Sequence, residues 1–253
     1  MKALLLRVGI DNGYGAVTPI FADDTYEYIS IYYKNKVSIE KNEKRTYKDI
    51  KCKYRDNGLE LRNLQGFTNI ASYLPKKLHD KIIHLDPEFE SFTYGEPGRQ
   101  KRAALLKLEK GDLLVFYLGG KNWDDKTDSE LGVYIFSYFT VKEVYDWNNL
   151  SKKEQKELSI NQLSKNAHII SSKPRTNLVI VKGESSKSKK LKYCIKISEP
   201  NQKSNNPCYI ASKEIRKLLG IREFITRAVP IWIMNKKYLQ NLQSLLLLKT
   251  ISL

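Results

Sequence analysis

The segment His84-Leu85-Asp86-Pro87 holds the side chains best suited to chemistry. Side chains alternate along an extended segment, so His84 and Asp86, two positions apart, are expected to point the same way. Such a pair can bind a divalent metal together with a third ligand, for which Asp11 and Glu90 are candidates. Alternatively, His84 acts as a general base that a carboxylate orients. Both assignments compete with a structural role, in which the histidine lies at the core edge and the aspartate forms an Asx turn.

A glycine-containing loop, Asp11-Asn12-Gly13-Tyr14-Gly15, follows the first apolar segment. Its residues tolerate positive φ angles, so a tight loop is expected to present Asp11 and nearby backbone amides. Gly13 and Gly15 are therefore candidates for phosphate binding, although no Gly-Lys-Ser/Thr follows and a P-loop is not indicated. The alternatives are a loop merely shaped by glycine and a simple ion pair between Arg7 and Asp11. The candidate catalytic residues are then Asp11, His84 and Asp86.

A second candidate phosphate-binding segment contains Arg99, Gln100 and Arg102, within a stretch of helical spacing at residues 99–108. Two arginines on one helix can clamp a phosphate with paired hydrogen bonds. An anion at the amino end of the helix would also gain from the helix dipole. Arg7 is predicted to join this set, and a solvated basic helix face is the alternative.

Positive charge is concentrated in one half of the chain. Residues 1–150 contain 23 Lys and Arg and 22 Asp and Glu, whereas residues 151–253 contain 21 and 6. Because Lys and Arg bind polyanions by releasing counterions, the basic half favours nucleic-acid contact. A compositional bias toward Lys, Asn, Ile and Tyr, as in AT-rich genomes, is the alternative, but it does not explain the loss of acidic residues in one half only.

Within the basic half, the loop from Gly183 to Lys190 carries several serines and lysines and is typical of a loop that grasps a nucleic-acid backbone. A flexible solvated loop is the alternative. The candidate nucleic-acid-binding residues are Lys187, Lys189, Lys190 and Lys192.

The composition is that of a folded globular protein: 253 residues, 41% hydrophobic and 11% aromatic. No apolar run reaches the roughly 18 residues that a membrane-spanning helix requires, and the apolar start of the chain is too short for a signal peptide. The cysteines Cys52, Cys194 and Cys208 follow no familiar metal-binding spacing, which favours a reducing compartment without a disulfide framework. We therefore expect a cytoplasmic protein without membrane contact.

Apolar patterns predict the elements that would position these residues. Strands are predicted at residues 3–8, 19–21, 26–33, 82–85, 113–118, 132–144, 177–181, 191–197 and 208–211. Residues 35–69 are predicted to be a loop-rich insertion, residues 119–130 a polar hairpin loop, and residues 227–233 irregular or strand-like.

Helices are predicted at residues 99–108, after a capping box of Ser151 and Glu154, between Ser212 and Gly220, and after Asn235. The helix after Ser151 is expected to end at residues 166–168. The last helix is amphipathic, so its leucine-rich side is a core surface or a homodimer surface. We predict a near-neutral α+β region over residues 1–150 and a basic α+β region over residues 151–253, packed as one compact unit.

Two resemblances follow from these motifs. The Lys110-Gly111-Asp112 turn, the strand after it and the glycine-containing strand up to Val144 resemble the core hairpin of PUA-like barrels, a group that includes modules binding modified bases. The chain as a whole resembles the nucleotide modification associated domain family, type three. That resemblance covers most of residues 1–145 and is carried, in order, by RVGID (7–11), GYG…PI (13–20), HLDP (84–87), GRQKRAALLKL (98–108) and GDLLVFY (111–117).

The chain departs from the family at two places. The family often carries an aromatic residue at the position of Ile10, and its glutamine-rich segment is more basic in this chain. Ligand preference is therefore expected to differ. The resemblance implies a place near base-modification systems. The expected fold is α+β, with a mixed, mainly antiparallel sheet or a partly open PUA-like β-barrel flanked by helices.

Three functional interpretations follow. In the first, an enzyme acts on a nucleotide or base with a pocket of Arg7, Asp11, His84, Asp86 and Gln100, with a divalent metal as candidate cofactor. In the second, a non-catalytic PUA-like module binds a modified base of DNA or RNA, and the basic half follows the backbone. In the third, the role is purely structural or one of protein interaction, and neutralising the lysines would change nothing. Metal dependence would favour the first, and steep salt dependence without turnover the second.

Overall fold

A computed structural model of the chain describes residues 1–34, 43–52, 69–123, 131–171, 176–201 and 209–249. The strands are β1 (Ala3–Arg7), β2 (Thr18–Ile20), β3 (Ile31–Tyr32), β4 (Ile83–His84), β5 (Thr93–Glu96), β6 (Leu113–Asn122), β7 (Leu131–Asp146), β8 (Val179–Gly183), β9 (Lys189–Lys196), β10 (Ser198–Pro200), β11 (Tyr209–Ala211) and β12 (Ile231–Ile233). The helices are α1 (Arg99–Leu105), α2 (Lys152–Asn161), α3 (Ala167–Ile170), α4 (Lys213–Leu219) and α5 (Lys236–Leu248).

Eight strands form one open sheet in the order β12-β1-β6-β7-β8-β5, with β2 also paired to β6 and β9 to β7. Both β1 and β2 run parallel to β6, and the remaining pairs are antiparallel. The α+β class with a mixed, mainly antiparallel sheet is therefore confirmed. The strands of the described residues do not close into a barrel.

The two faces of the sheet are both covered, as the continuous apolar run of β6 predicts. Leu113, Val115 and Tyr117 point to one face and pack with α4 and α5. Leu114, Phe116 and Leu118 point to the other and pack with α1 and with aromatic residues from β5 and β7. Alternation with period two thus divides one strand between two hydrophobic cores.

Several strand ends differ from the sequence prediction. β6 continues to Asn122, into the predicted hairpin loop, because β2 supplies backbone partners for residues 120–122. The predicted strand over residues 26–33 shortens to β3, and Tyr26 makes an isolated bridge to Ile20. Residues 35–42, 53–68 and 124–130 of the predicted insertion and hairpin loop, and Cys208, lie outside the described residues.

Helix caps account for most helix positions. The capping box of Ser151 and Glu154 starts α2, Ser212 starts α4 before the left-handed Gly220, and Asn235 starts α5. One expectation was wrong: residues 166–168 do not end the helix that begins after Ser151. That helix ends at Asn161, and Asn166 caps the short helix α3 by accepting a hydrogen bond from the His168 amide.

Strands from both halves of the sequence pair within the one sheet, since β8 and β9 pair with β7 and β12 pairs with β1. The division near residue 150 stays a prediction.

In α5, Leu239, Leu242 and Leu246 pack onto the sheet, whereas Leu247 and Leu248 are exposed. A homodimer through this helix likewise stays a prediction. Among the described residues, none of the helices combines the length and apolarity needed to cross a membrane.

Candidate functional site

Two segments far apart in the chain, residues 84–86 and the helix α3, bring His84, Asp86 and His168 together. Each residue offers one atom that could bind a metal, and these three atoms all lie within 4.8 Å of one another. His84 ends β4, Asp86 follows it, and His168 comes from α3. His84 and Asp86 are buried and His168 is half-buried, so the histidine of α3 is the member nearest to solvent.

Tyr33 contacts both His84 and the helix α3. Strand β3 pairs with β4, so Ile31 lies opposite His84, and Tyr33 follows directly. Its ring packs edge-on against His84, with centroids 4.8 Å apart, and its hydroxyl donates a hydrogen bond to the carbonyl oxygen of Ala167 at 3.1 Å. The two imidazoles are themselves edge-on, at 4.7 Å and 84°.

Gly95, in the edge strand β5, serves both remaining members of the cluster. Its amide donates hydrogen bonds to Oδ1 and Oδ2 of Asp86, at 3.0 and 3.3 Å. A Cβ atom at this position would lie 2.4 Å from Cδ2 of His168. The imidazole therefore packs directly on the glycine backbone, which no other residue type permits without displacement.

Asn166 positions His168 by anchoring α3 to the sheet. Its Oδ1 accepts a hydrogen bond from the His168 amide at 3.0 Å, and its Nδ2 donates one to Oγ1 of Thr93 at 3.1 Å. Both Asn166 and Thr93 are fully buried. A buried amide with defined partners fixes orientation, so the place of His168 is set by its cap.

Burial raises the pKa of Asp86 to about 6, against the hydrogen bond and charge of His168, which act to lower it. Nε2 of His168 lies 3.2 Å from Oδ2 of Asp86. Two imidazoles and a carboxylate form a ligand set for a divalent transition metal, and a His–Asp pair is also an acid–base pair. The cluster can support either chemistry.

The two residues suggested as a third metal ligand form salt bridges outside the cluster. Asp11 forms a salt bridge with Arg227, and Glu90 forms one with Lys165 on the surface. His168 is the third member instead. As predicted, Asp11 precedes a tight turn at residues 12–14, with Gly15 left-handed; Gly13 and Gly15 are exposed there.

A second polar cluster surrounds the end of β1. Arg227 also donates a hydrogen bond to the carbonyl of Gly9 at 3.3 Å. Nζ of Lys101 donates one to the carbonyl of Arg7 at 3.2 Å and lies 3.7 Å from Oε2 of Glu96. Asp86 acts to raise the pKa of Lys101, although burial lowers it overall, so the two clusters are close enough to interact.

The helix α1 begins at Arg99, as predicted. Arg99 and Gln100 are exposed, whereas Arg102 makes a two-point salt bridge to Asp146 at the end of β7, at 2.7 and 2.8 Å. The side chain of Arg102 therefore joins helix to sheet. Phosphate binding by this segment stays a prediction.

A cavity of about 460 Å³ lies on the opposite side of the segment 84–89. Leu85 and Pro87 line it while His84 and Asp86 face α3, which is the alternation expected of an extended chain. Tyr28 and Phe89 form aromatic walls. The charged residues of the lining are four cations and three carboxylates: Arg45, Lys51, Lys165, Lys190, Glu27, Glu88 and Glu90.

The predicted lysine loop joins β8 to β9. Lys187 and Lys189 are exposed, and Lys190 and Lys192 are half-buried. Nζ of Lys190 lies 5.3 Å from the ring centroid of Tyr26 and 5.9 Å from that of Tyr28. This lysine thus belongs to the cavity as well as to the loop.

His168 and Arg227 are among the residues of these clusters that were not found from the sequence. For His168 a signal existed, because Asn followed two positions later by a histidine can be an N-cap at the start of a helix as well as a helix end. For Arg227 no local signal existed, since its partners Asp11 and Gly9 lie more than 200 positions away in the chain.

Comparison with known proteins gives one family. The model of the nucleotide modification associated domain 3 matches residues 2–221. No match was found among curated proteins or among solved structures. The matched range contains His84, Asp86 and His168 and omits Arg227. Because it spans well over half of the chain, this protein belongs to the nucleotide modification associated domain 3 family.

Proposed function

We propose that this protein is an enzyme that modifies a nucleotide or a nucleic-acid base, with a divalent-metal centre at His84, Asp86 and His168. The observation that carries the proposal is the convergence of His84 and Asp86, from one segment, with His168 of the distant helix α3, with donor atoms within 4.8 Å of one another. Membership of a family associated with nucleotide modification supplies the substrate class.

The ligand set suits a first-row transition metal. Ligands held about 2.1 Å from a tetrahedral metal lie roughly 3.4 Å apart, so movements of about 1 Å would close the cluster on an ion. Three protein ligands leave coordination positions for water or substrate. A metal there would activate a bound water or polarise a substrate oxygen. Gly95 and Asn166, which hold Asp86 and His168, would be its positioning residues.

Metal titration tests the centre. We expect the purified chain to bind one Zn²⁺ or Mn²⁺, as measured by calorimetry, and His84→Ala or His168→Ala to weaken binding about 100-fold. His79→Gln is the matched control, because the third histidine of the chain hydrogen-bonds the carbonyl of Leu74 outside the cluster. Unchanged affinity in both cluster variants, with a thermal melt like wild type, would overturn the metal centre.

The alternative function is a non-catalytic module that binds a modified base. The cavity of about 460 Å³ favours it, since Tyr28 and Phe89 line it and its four cations outnumber its three glutamates. The two functions differ in turnover: the module binds base-containing ligands without changing them and is indifferent to chelators. Mass spectrometry of nucleotides incubated with metal-loaded protein distinguishes them.

For nucleic-acid contact, the exposed lysines of the β8–β9 loop are the proposed backbone contacts. Lys187→Gln with Lys189→Gln is expected to reduce the slope of log K against log[salt] for duplex DNA by about 1.8, since each phosphate contact contributes about 0.9. Lys152→Gln with Lys153→Gln removes the same charge from the exposed face of α2 and serves as control. Equal slopes in the two double variants would exclude the loop as a backbone contact.

A further inference from the structure

We propose that Arg7, Lys101 and Arg227 form a binding site for a phosphate group at the carboxyl end of β1. The identification of that phosphate as part of a nucleotide rests on the proposed function; the anion site itself does not. Arg227 and Lys101 are absent from every sequence-based candidate set above, and Arg227 lies beyond the family match.

Arg7 is the first reason for the site. It is the last residue of β1 and is half-buried. Its Nε is buried and has no hydrogen-bond partner among the described residues. In the described part of the chain, no carboxylate forms a salt bridge with Arg7. A guanidinium withdrawn from water is normally paired. Burial lowers the pKa of Arg7, although Asp11 acts to raise it.

The surroundings of Arg7 are shaped for its guanidinium. A Cβ atom on Gly119 of β6 would lie 2.6 Å from Nη2 of Arg7. The guanidinium of Arg7 therefore packs against β6 at a position that carries no side chain. On another side the ring of Tyr209 lies with its centroid 5.8 Å from Cζ. The guanidinium is thus held by packing rather than by a counter-ion.

Like charges gather around it. Lys101 donates a hydrogen bond to the carbonyl of Arg7 and Arg227 donates one to the carbonyl of Gly9, and the charge of Arg227 acts to lower the pKa of Arg7. The acidic side chains in contact are Asp11, paired with Arg227, and Glu96, 3.7 Å from Lys101. Asp11 and Glu96 offset the charges of Arg227 and Lys101, so the positive charge that remains is that of Arg7.

The location suits a ligand. Strands β1 and β2 both run parallel to β6, and the loop over residues 8–17 leaves the sheet between them. The carboxyl ends of parallel strands are where open sheets bind ligands. Guanidinium and ammonium groups are the side-chain groups that proteins use to bind phosphate.

Phosphate binding by the full chain tests the site, with inorganic phosphate, a 5′-mononucleotide and a single-stranded oligonucleotide as probes. Arg7→Met and Arg227→Met are each expected to weaken binding of inorganic phosphate and mononucleotide about tenfold or more. Arg222→Met removes one charge from an exposed residue five positions before Arg227 in the chain and is expected to bind as wild type. A mononucleotide preference assigns the site to a free nucleotide, and an oligonucleotide preference to a backbone phosphate.

Gly119→Ala is a second variant that keeps every charge. Its added methyl displaces the Arg7 guanidinium, so weaker phosphate binding with an unchanged melting temperature is expected. Wild-type phosphate affinity in all three variants, or equal loss in Arg222→Met, would overturn the site. Zinc titration of the same variants separates the proposals: a chain that binds phosphate but no metal retains the anion site and loses the metal centre.

Discussion

Gly95→Ala is expected to weaken metal binding at the histidine–aspartate cluster about 100-fold while the protein stays folded. The added Cβ would lie 2.4 Å from Cδ2 and 3.1 Å from Cγ of His168, and 3.2 Å from Oδ1 of Asn166. Because Asn166 and Thr93 hold α3 against β5, the ring cannot move without breaking that anchor. We expect metal affinity to fall about 100-fold and stability by about 1–3 kcal/mol, the usual cost of overpacking.

Calorimetric metal titration and a thermal melt check this result. Gly98→Ala is the matched control two residues beyond β5, where the nearest atom is Oε1 of the Glu96 side chain and the position is exposed. If Gly95→Ala binds zinc as tightly as the control, His168 is not a ligand. The cluster would then act through the His–Asp pair or only structurally.

Phe136→Ala is expected to cause the largest loss of stability, about 3–5 kcal/mol, as for other fully buried phenylalanines. Phe136 lies in β7 and is completely buried. Its ring stacks on Tyr28 with centroids 4.8 Å apart and meets Tyr26 and Phe89 edge-on. The hydroxyl of Tyr28 donates a hydrogen bond to the carbonyl of Asp86 at 3.0 Å, so this packing supports the site as well as the core.

Chemical denaturation gives the free energy of unfolding directly. Phe136→Leu should recover much of the loss, and Phe224→Ala, at a residue 59% exposed, should change stability by less than about 0.5 kcal/mol. We also expect weaker metal binding in Phe136→Ala, because Asp86 loses a fixed backbone. A change below about 1 kcal/mol would mean that the ring cluster is not part of the cooperative core.

The sequence by itself determined the local features of this protein. Apolar runs predicted β1, β6 and β7, and capping residues predicted the starts of α2, α4 and α5, because these signals arise between residues a few positions apart. The two-residue spacing of His84 and Asp86 predicted their shared side for the same reason. The family motifs were readable too, and the match over residues 2–221 confirms that resemblance.

Only the tertiary structure decided which residues complete the clusters. His168 meets Asp86 across 82 positions and Arg227 meets Asp11 across 216. Such contacts depend on the order of strands in the sheet and on where α3 is anchored. A hydrophobic period specifies which side of an element is buried but not which distant element covers it. The convergence of His84, Asp86 and His168 was therefore set by packing, after the local elements had been set by sequence.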